Sequence, residues 1–257
     1  KKPEASLEIG YLTGQRSALP EYLNEQMRIL GLTHIVVASG YNLSILVRFS
    51  RRLVARFSKY LSVAAGLMLT FGFILVTGLS PSMTRAGLIT SISLLAWYFG
   101  RSIHPMVLLP TAAGITAVAN PSYVWGDLGW YLSFSAFAGV IVLAPLVGQY
   151  FFGKKRNNAI LQVLVETSSA QLMTLPIIAY AFSQYAPLAL LANLSILLLI
   201  PWTMALTFVA GVAGLLSLPS WLGVPAELIL RYMTAVVERL AQMPSAVAEI
   251  NFTALTI

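Results

Sequence analysis

The chain has 257 residues, of which 58% are hydrophobic and only 10% charged. A soluble domain is about one quarter charged, so this composition excludes an ordinary soluble fold and points to a polytopic membrane protein. The formal net charge is +7 and cysteine is absent, which excludes disulfides, thiolate metal sites and a cysteine nucleophile.

Two histidines and nine carboxylates, most of them outside the apolar stretches, leave little from which to build a catalytic metal site. The chain begins at Lys1 without a signal-peptide layout and is read as a region of a longer protein. Residues 1–31 are the most charged part. There Leu19, Tyr22, Leu23, Gln26, Met27 and Leu30 recur at helical spacing, with Glu21, Asn24, Glu25 and Arg28 on the other side. That pattern predicts an amphipathic helix lying on the membrane surface or against the bundle. Leu7 to Leu12 is read as a shorter one.

The first predicted span is Leu32–Phe49. Within it, Thr33 to Val47 is apolar enough for a bilayer yet carries His34, Ser39, Gly40, Tyr41 and Asn42. Polar groups at membrane depth cost free energy unless they face protein, water or substrate. Two readings stand: a helix that opens and offers backbone groups to something passing, or a Gly-Ser kink packed on a neighbouring helix. A basic run follows: Arg48, Arg51, Arg52, Arg56 and Lys59. Further spans are predicted at Tyr60–Leu79, Thr84–Phe99, Pro105–Ala119, Leu128–Tyr150 and Ile160–Phe182. Pro187–Leu218 is too long for one span and short for two, with Pro201 near its middle. It predicts two short or re-entrant half-helices, a pair hinged at Ile200-Pro201, or two thin spans joined by a tight turn. Residues 221–243 form a last amphipathic helix with an apolar stripe of Ile229, Leu230, Met233, Val236, Val237 and Leu240, in which Glu227 can pair with Arg231. The expected fold class is all-α: a transmembrane helix bundle with broken half-helices and flanking amphipathic helices. Its parts are amphipathic helices in 1–31, a membrane domain in 32–218, and in 219–257 an amphipathic helix leading out towards a further soluble domain.

The loops around 48–59, 100–104 and 153–157 hold nine Lys or Arg and no acid. The positive-inside rule places them in the cytoplasm. The loops at 78–84, 120–127 and 183–187 then face outward, as do both ends of the chain if 187–218 crosses twice. On this topology a set of polar residues collects in the outer half of the spans: Ser39 and Asn42, then Thr84 and Arg85, Asp127, Trp130, Tyr131 and Ser133, Gln171, and Asn193. With His34, Gly40 and Tyr41 they describe a polar funnel entered from outside.

Arg85 is the one cation in that funnel. Beside a helix N-terminus it would favour an anion such as a phosphate; it could equally pair with Asp127 across the helix ends. Trp130 and Tyr131 could stack bases or belong to an interfacial aromatic belt. Gln171 could line the path or bond a neighbouring helix. A serine hydrolase is disfavoured. His34 and Ser39 are five residues apart and point to different faces of one helix, and His104 falls on the cytoplasmic side.

Four stretches carry a family resemblance. Gly31-Leu32-Thr33-His34 leading to Ala38-Ser39-Gly40 is similar to "G-L-S-H-L…I-S-G-L-H". Pro81-Ser82-Met83-Thr84-Arg85-Ala86 is similar to "P-S-…-R-A". Gly126 to Phe134 is similar to "G-F-Q-L-S-F". Ala170-Gln171-Leu172 through Pro176, with Asn193-Leu194 and Pro201, is similar to "A-Q-L…P…N-L…P". In this order they resemble the ComEC-type competence family of DNA-uptake channel proteins. Asn42 stands where that family usually has His, and Trp130-Tyr131 replace Phe-Gln. Hydrogen bonding is therefore the role Asn42 can share.

The resemblance implies a multi-pass protein of the bacterial inner membrane that passes single-stranded DNA during natural transformation. It further implies an external DNA receptor and a cytoplasmic helicase-like motor. The sequence leaves two arrangements of the pore open, within one protomer or between the two copies of a homodimer. The expected partners are single-stranded DNA and the lipid bilayer. No cofactor and no catalysis are expected here, because the nuclease thought to accompany the family lies in a C-terminal metallo-β-lactamase-like domain that this chain does not contain. The alternative reading is a secondary transporter for a small anion or lipid precursor. Such a transporter wants a titratable acid at mid-membrane, for which Glu166 is the candidate.

The topology is testable because the chain has no native cysteine. A cysteine placed at Ser122 should react with a membrane-impermeant thiol reagent on intact cells; labelling only after lysis would invert the orientation.

Overall fold

Four of the described helices begin at side-chain caps that the sequence supplies. The computed structural model describes residues 20–32, 40–78, 80–153, 159–217, 219–244, 246 and 248–249. Helix α1 is Glu21–Ile29, α2 Gly40–Val54, α3 Lys59–Thr77, α4 Pro81–Tyr98 and α5 Pro105–Ala119. The Ser58 hydroxyl accepts from the Leu61 amide at 3.3 Å and opens α3. Ser80 accepts from Met83 at 3.4 Å and opens α4, with Pro81 in the first helical position. His104 Nδ1 accepts from Met106 at 3.3 Å ahead of α5. Side-chain acceptors satisfy amides that lack an intrahelical partner, and proline has the φ that a helix start needs.

Helix α6 is Leu128–Phe152, with a π-helical segment at Gly139–Leu143. Then come α7 Ala159–Phe182, α8 Ala189–Leu197, α9 Ile200–Leu215 and α10 Val224–Ala241. Strand β1 Gln184–Tyr185 pairs antiparallel with β2 Ala248–Glu249, a two-residue ladder in an otherwise helical chain.

Among the described residues, two helices are long and apolar enough to cross a membrane, α3 and α6; α8 and α9 add a third if the bent pair counts as one span. The sequence predicts more, and the differences have physical causes. The first predicted span becomes α2, which runs on to Val54, so Arg48, Arg51 and Arg52 lie inside a helix rather than in a loop after it. Arg is a good helix former, and its charge does not end a helix. Helix α4 starts at Pro81 rather than Thr84, and its hydroxyls and Arg85 lower its hydropathy. Helix α5 has the predicted bounds, but its 15 residues span only about 22 Å. Helix α7 carries Glu166, Ser168, Ser169, Gln171 and Thr174 along its length. The predicted helix at Leu7–Leu12 lies outside the described residues.

The chain forms two compact units. The first comprises residues 1–37, 154–168 and 175–257. Its centre is α10, which packs on α1, α8 and α9. Leu230, Met233 and Val237 of α10 are buried, as are Leu23 and Met27 of α1. Tyr22, counted above with the apolar stripe of α1, is half exposed. The Thr203 hydroxyl of α9 meets the Met233 sulfur at 3.6 Å. The Glu227–Arg231 pair forms at 2.7 Å. Helices α8 and α9 meet at a 45° bend just before Pro201, where proline can start a helix but not continue one.

The second unit comprises residues 38–153 and 169–174. Its core is a three-helix arrangement of α2, α3 and α4, filled by Leu43, Val47, Val63, Phe73, Met83, Ala86 and Leu94. Helix α6 approaches α7 at Gly139, where a Cβ would lie 2.5 Å from the Ser169 carbonyl oxygen. Backbones that close admit no side chain, as at the small-residue contacts of membrane helices.

Gly139→Ala should therefore destabilise the protein by about 1–3 kcal/mol. Gly114→Ala, where a Cβ meets nothing within 4 Å, should be neutral or stabilising by up to about 1 kcal/mol. Thermal midpoints of the two variants in the same detergent check the contrast.

Candidate functional site

Three of the predicted polar stretches meet at the start of α4. Ser80 holds that start in two ways: its hydroxyl caps the Met83 amide, and its carbonyl accepts from the Thr84 hydroxyl at 3.2 Å. Thr84 also donates to the Pro81 carbonyl at 3.0 Å, so its side chain is turned back on its own helix. Arg85, one residue on, reaches across to α6 and donates from Nε to the Ser133 Oγ at 2.8 Å. Its guanidinium lies 4.7 Å from the Phe137 ring centroid and 5.8 Å from that of Phe134. Such contacts fix the plane of an arginine as well as its position.

Helix α2 closes the third side. A Cβ on Gly40 would sit 2.7 Å from the Ala86 Cβ and 3.7 Å from Arg85 Nη2. Glycine is therefore needed at position 40 for the two helices to approach beside the arginine. Two residues on, Asn42 is fully buried while Tyr41 is half exposed. Among the described residues no ion pair joins Arg85 to Asp127, so the predicted alternative of a pair across the helix ends does not form. Asp127 instead caps α6, its Oδ1 accepting from the Trp130 amide at 2.9 Å.

The two aromatics are built into the fold. Trp130 donates from Nε1 to the Thr116 hydroxyl of α5 at 3.1 Å and packs against Phe134 at 4.6 Å. Tyr131 donates its hydroxyl to the Val124 carbonyl and meets Trp130 edge-on at 5.5 Å. Gln171 is half-buried on the part of α7 that belongs to this unit. Asn193 belongs to the first unit, where it is buried in α8 and its Oδ1 has no hydrogen-bond partner among the described residues. His34 and Ser39 lie outside the described residues.

The structure thus brings Gly40, Arg85 and Ser133 together, with Trp130 one turn away. Phe134, Phe137 and Thr116 complete the arrangement and were missed in the sequence. A signal for two of them was there: Trp130, Ser133, Phe134 and Phe137 follow i, i+3, i+4, i+7 spacing and share one face of α6. Chemically, an arginine has five N–H donors in a planar fork. Here Nε is committed to Ser133, and Nη1 and Nη2 are the groups suited to a bidentate anion such as a phosphate.

A family model described as "Competence protein" matches residues 11–257. ComE operon protein 3 of Bacillus subtilis (strain 168) is 24% identical over 191 residues, which is 74% of this chain and 23% of that protein. The chain therefore spans less than a quarter of the length of the curated relative it matches. No solved structure matches it. With the family match covering all but the first ten residues, the chain belongs to the competence protein family.

Proposed function

We propose that this chain is the membrane channel of a DNA-uptake apparatus, passing single-stranded DNA across the bacterial inner membrane during natural transformation. Family membership supports a role in competence. The observation that carries the channel reading is the single arginine fixed between Ser133, Phe137 and the close approach of Gly40. A strand in transit must be attracted and released. A groove of many Lys and Arg would hold it through counterion release, whereas one oriented cation among hydroxyls and amides gives a weak, repeated phosphate contact. In this reading α4, α5 and α7 also cross the bilayer, their polar faces turned to protein or to the path rather than to lipid, and the protein is multi-pass. The chain performs no catalysis; receptor and motor are separate proteins, and the strand is the ligand. Glu166, the acid on which the transporter alternative rests, accepts a 2.8 Å bond from Gln162 of its own helix.

The test uses the full-length parent protein in a transformable host that lacks its own channel, with labelled DNA and measurement of nuclease-protected strand in the cytoplasm. Arg85→Ala should lower protected DNA roughly ten-fold or more, as expected for a charge-assisted contact. Ser133→Ala, which frees the guanidinium from its tether, should lower it less. Wild-type uptake by a well-expressed Arg85→Ala protein would remove the phosphate-guiding role. Absence of protected DNA with the unmodified protein, in a host whose own channel gene restores uptake, would favour the small-solute transporter.

A further inference from the structure

The hydrogen bond that ties α5 to α6 does not touch Arg85, yet it holds the helix on which the arginine site is built. Thr116 is buried in α5. Its hydroxyl proton is taken by its own helix, shared between the Ala112 carbonyl at 2.8 Å and the Ala113 carbonyl at 3.1 Å. The hydroxyl oxygen remains as an acceptor, and Trp130 of α6 donates to it from Nε1 at 3.1 Å. Trp130 also meets Tyr131 edge-on at 5.5 Å and Phe134 at 4.6 Å. An indole whose N–H is bonded and whose ring already touches two others is held as part of the packing. It is not presented as a platform for a base.

What Trp130 holds is a helix face. Trp130, Ser133, Phe134 and Phe137 share one side of α6. The last three are the groups that meet Arg85, Ser133 through a 2.8 Å hydrogen bond and the two rings at 5.8 Å and 4.7 Å. The first half of α6 packs on α4 and on α5. Among the described residues, two side-chain hydrogen bonds join it to those helices: Arg85 to Ser133 on the α4 side and Trp130 to Thr116 on the α5 side. Apolar contacts let a helix turn by small amounts, whereas directed bonds on two sides do not. A turn of about 20° moves a group at the helix surface, about 5 Å from the axis, by about 2 Å. That exceeds the slack of a hydrogen bond. We propose that Thr116 is a positioning residue for Arg85: by fixing Trp130 it fixes the rotation of the α6 face that presents Ser133, Phe134 and Phe137 to the guanidinium. This deepens the channel reading, and its consequence for uptake rests on that reading; its consequence for Arg85 does not.

Two measurements keep the proposal and the channel reading apart. The first reads the arginine itself by solid-state NMR, in the full-length parent protein carrying isotope-labelled arginine and reconstituted in lipid bilayers. The Arg85 Nε signal is assigned by its absence in Arg85→Lys. After transfer to deuterium oxide, Thr116→Val, which keeps the shape and removes the acceptor, should exchange the Arg85 Nε proton roughly three- to ten-fold faster than wild type, the range for one hydrogen bond. Thr116→Ser, which keeps the hydroxyl, should restore the wild-type rate. Trp130→Phe removes the donor at the other end; it should match Thr116→Val and serves if that variant does not fold. An unchanged rate in Thr116→Val, or an equally fast one in Thr116→Ser, overturns the proposal. The second measurement is protected DNA in the transformable host. Thr116→Val should lower it roughly three- to ten-fold in the otherwise wild-type protein and cause no further loss in an Arg85→Ala protein, because its effect passes through Arg85. An equal further loss beside Arg85→Ala would give Thr116 a general packing role and overturn the proposal. Faster exchange with normal uptake would uphold the positioning role and remove Arg85 from the DNA path.

Discussion

The bond from Arg85 to Ser133 is the constraint around which the second unit is arranged. A guanidinium next to an apolar core is costly unless its donors are used and its plane is supported. Ser133 uses one donor at 2.8 Å, and Phe137 supports the plane at 4.7 Å. A hydrogen bond to a charged group contributes about 1.5–3 kcal/mol, enough to fix the relation of α4 to α6 where their apolar contacts alone would allow sliding. The arrangement also needs α2 nearby, which is why position 40 has no side chain. Charge, hydroxyl, aromatic ring and glycine are each required by the presence of the others.

In the first unit the organising contact is apolar. Helix α10 has the composition of a surface helix, yet Leu230, Met233 and Val237 are buried. Its partners α1, α8 and α9 supply the other side. The amphipathic pattern is thus explained by packing on protein, while Glu227 and Arg231 pair on its open face. Exposed ion pairs of this kind contribute little to stability; the buried stripe does most of the holding.

How much of this was legible in the sequence depended on whether a residue type carries local information. Asp127 and Ser80 can cap a helix, and Pro201 can start one, so the starts of α6 and α9 were close to expectation. Helix α4 starts three residues before the expected Thr84 because Ser80 caps it and Pro81 takes the first helical position. Helix α2 runs past its expected end at Phe49 because the long stems of arginines let a helix continue through a basic run. The sequence names Gly40, Arg85 and Ser133 as residue types but carries no sign of their pairing. Nothing local distinguishes Ser133 from Asp127 as the partner of Arg85; the choice is made by how α4 and α6 pack. The rings of Phe134 and Phe137 stayed hidden because aromatic residues are ordinary in an apolar helix.

The π-helical segment was illegible for a different reason, since no residue type encodes it. Its trace is in the burial pattern of α6: Phe134, Gly139, Ala144 and Gly148 are buried, at intervals of five, five and four, which no 3.6-residue repeat produces. Such a segment is equivalent to one residue inserted into an α-helix. Each residue of α-helix turns the chain by about 100°, so the segment sets the rotational phase between the half of α6 that bears Ser133 and the half that bears Gly148. In evolutionary terms the helix is one deletion away from a different molecule: losing a single apolar residue between 139 and 143 would leave every polar group of the site in the chain and still swing Ser133 a quarter-turn from Arg85. Length in this stretch is under a tighter constraint than composition.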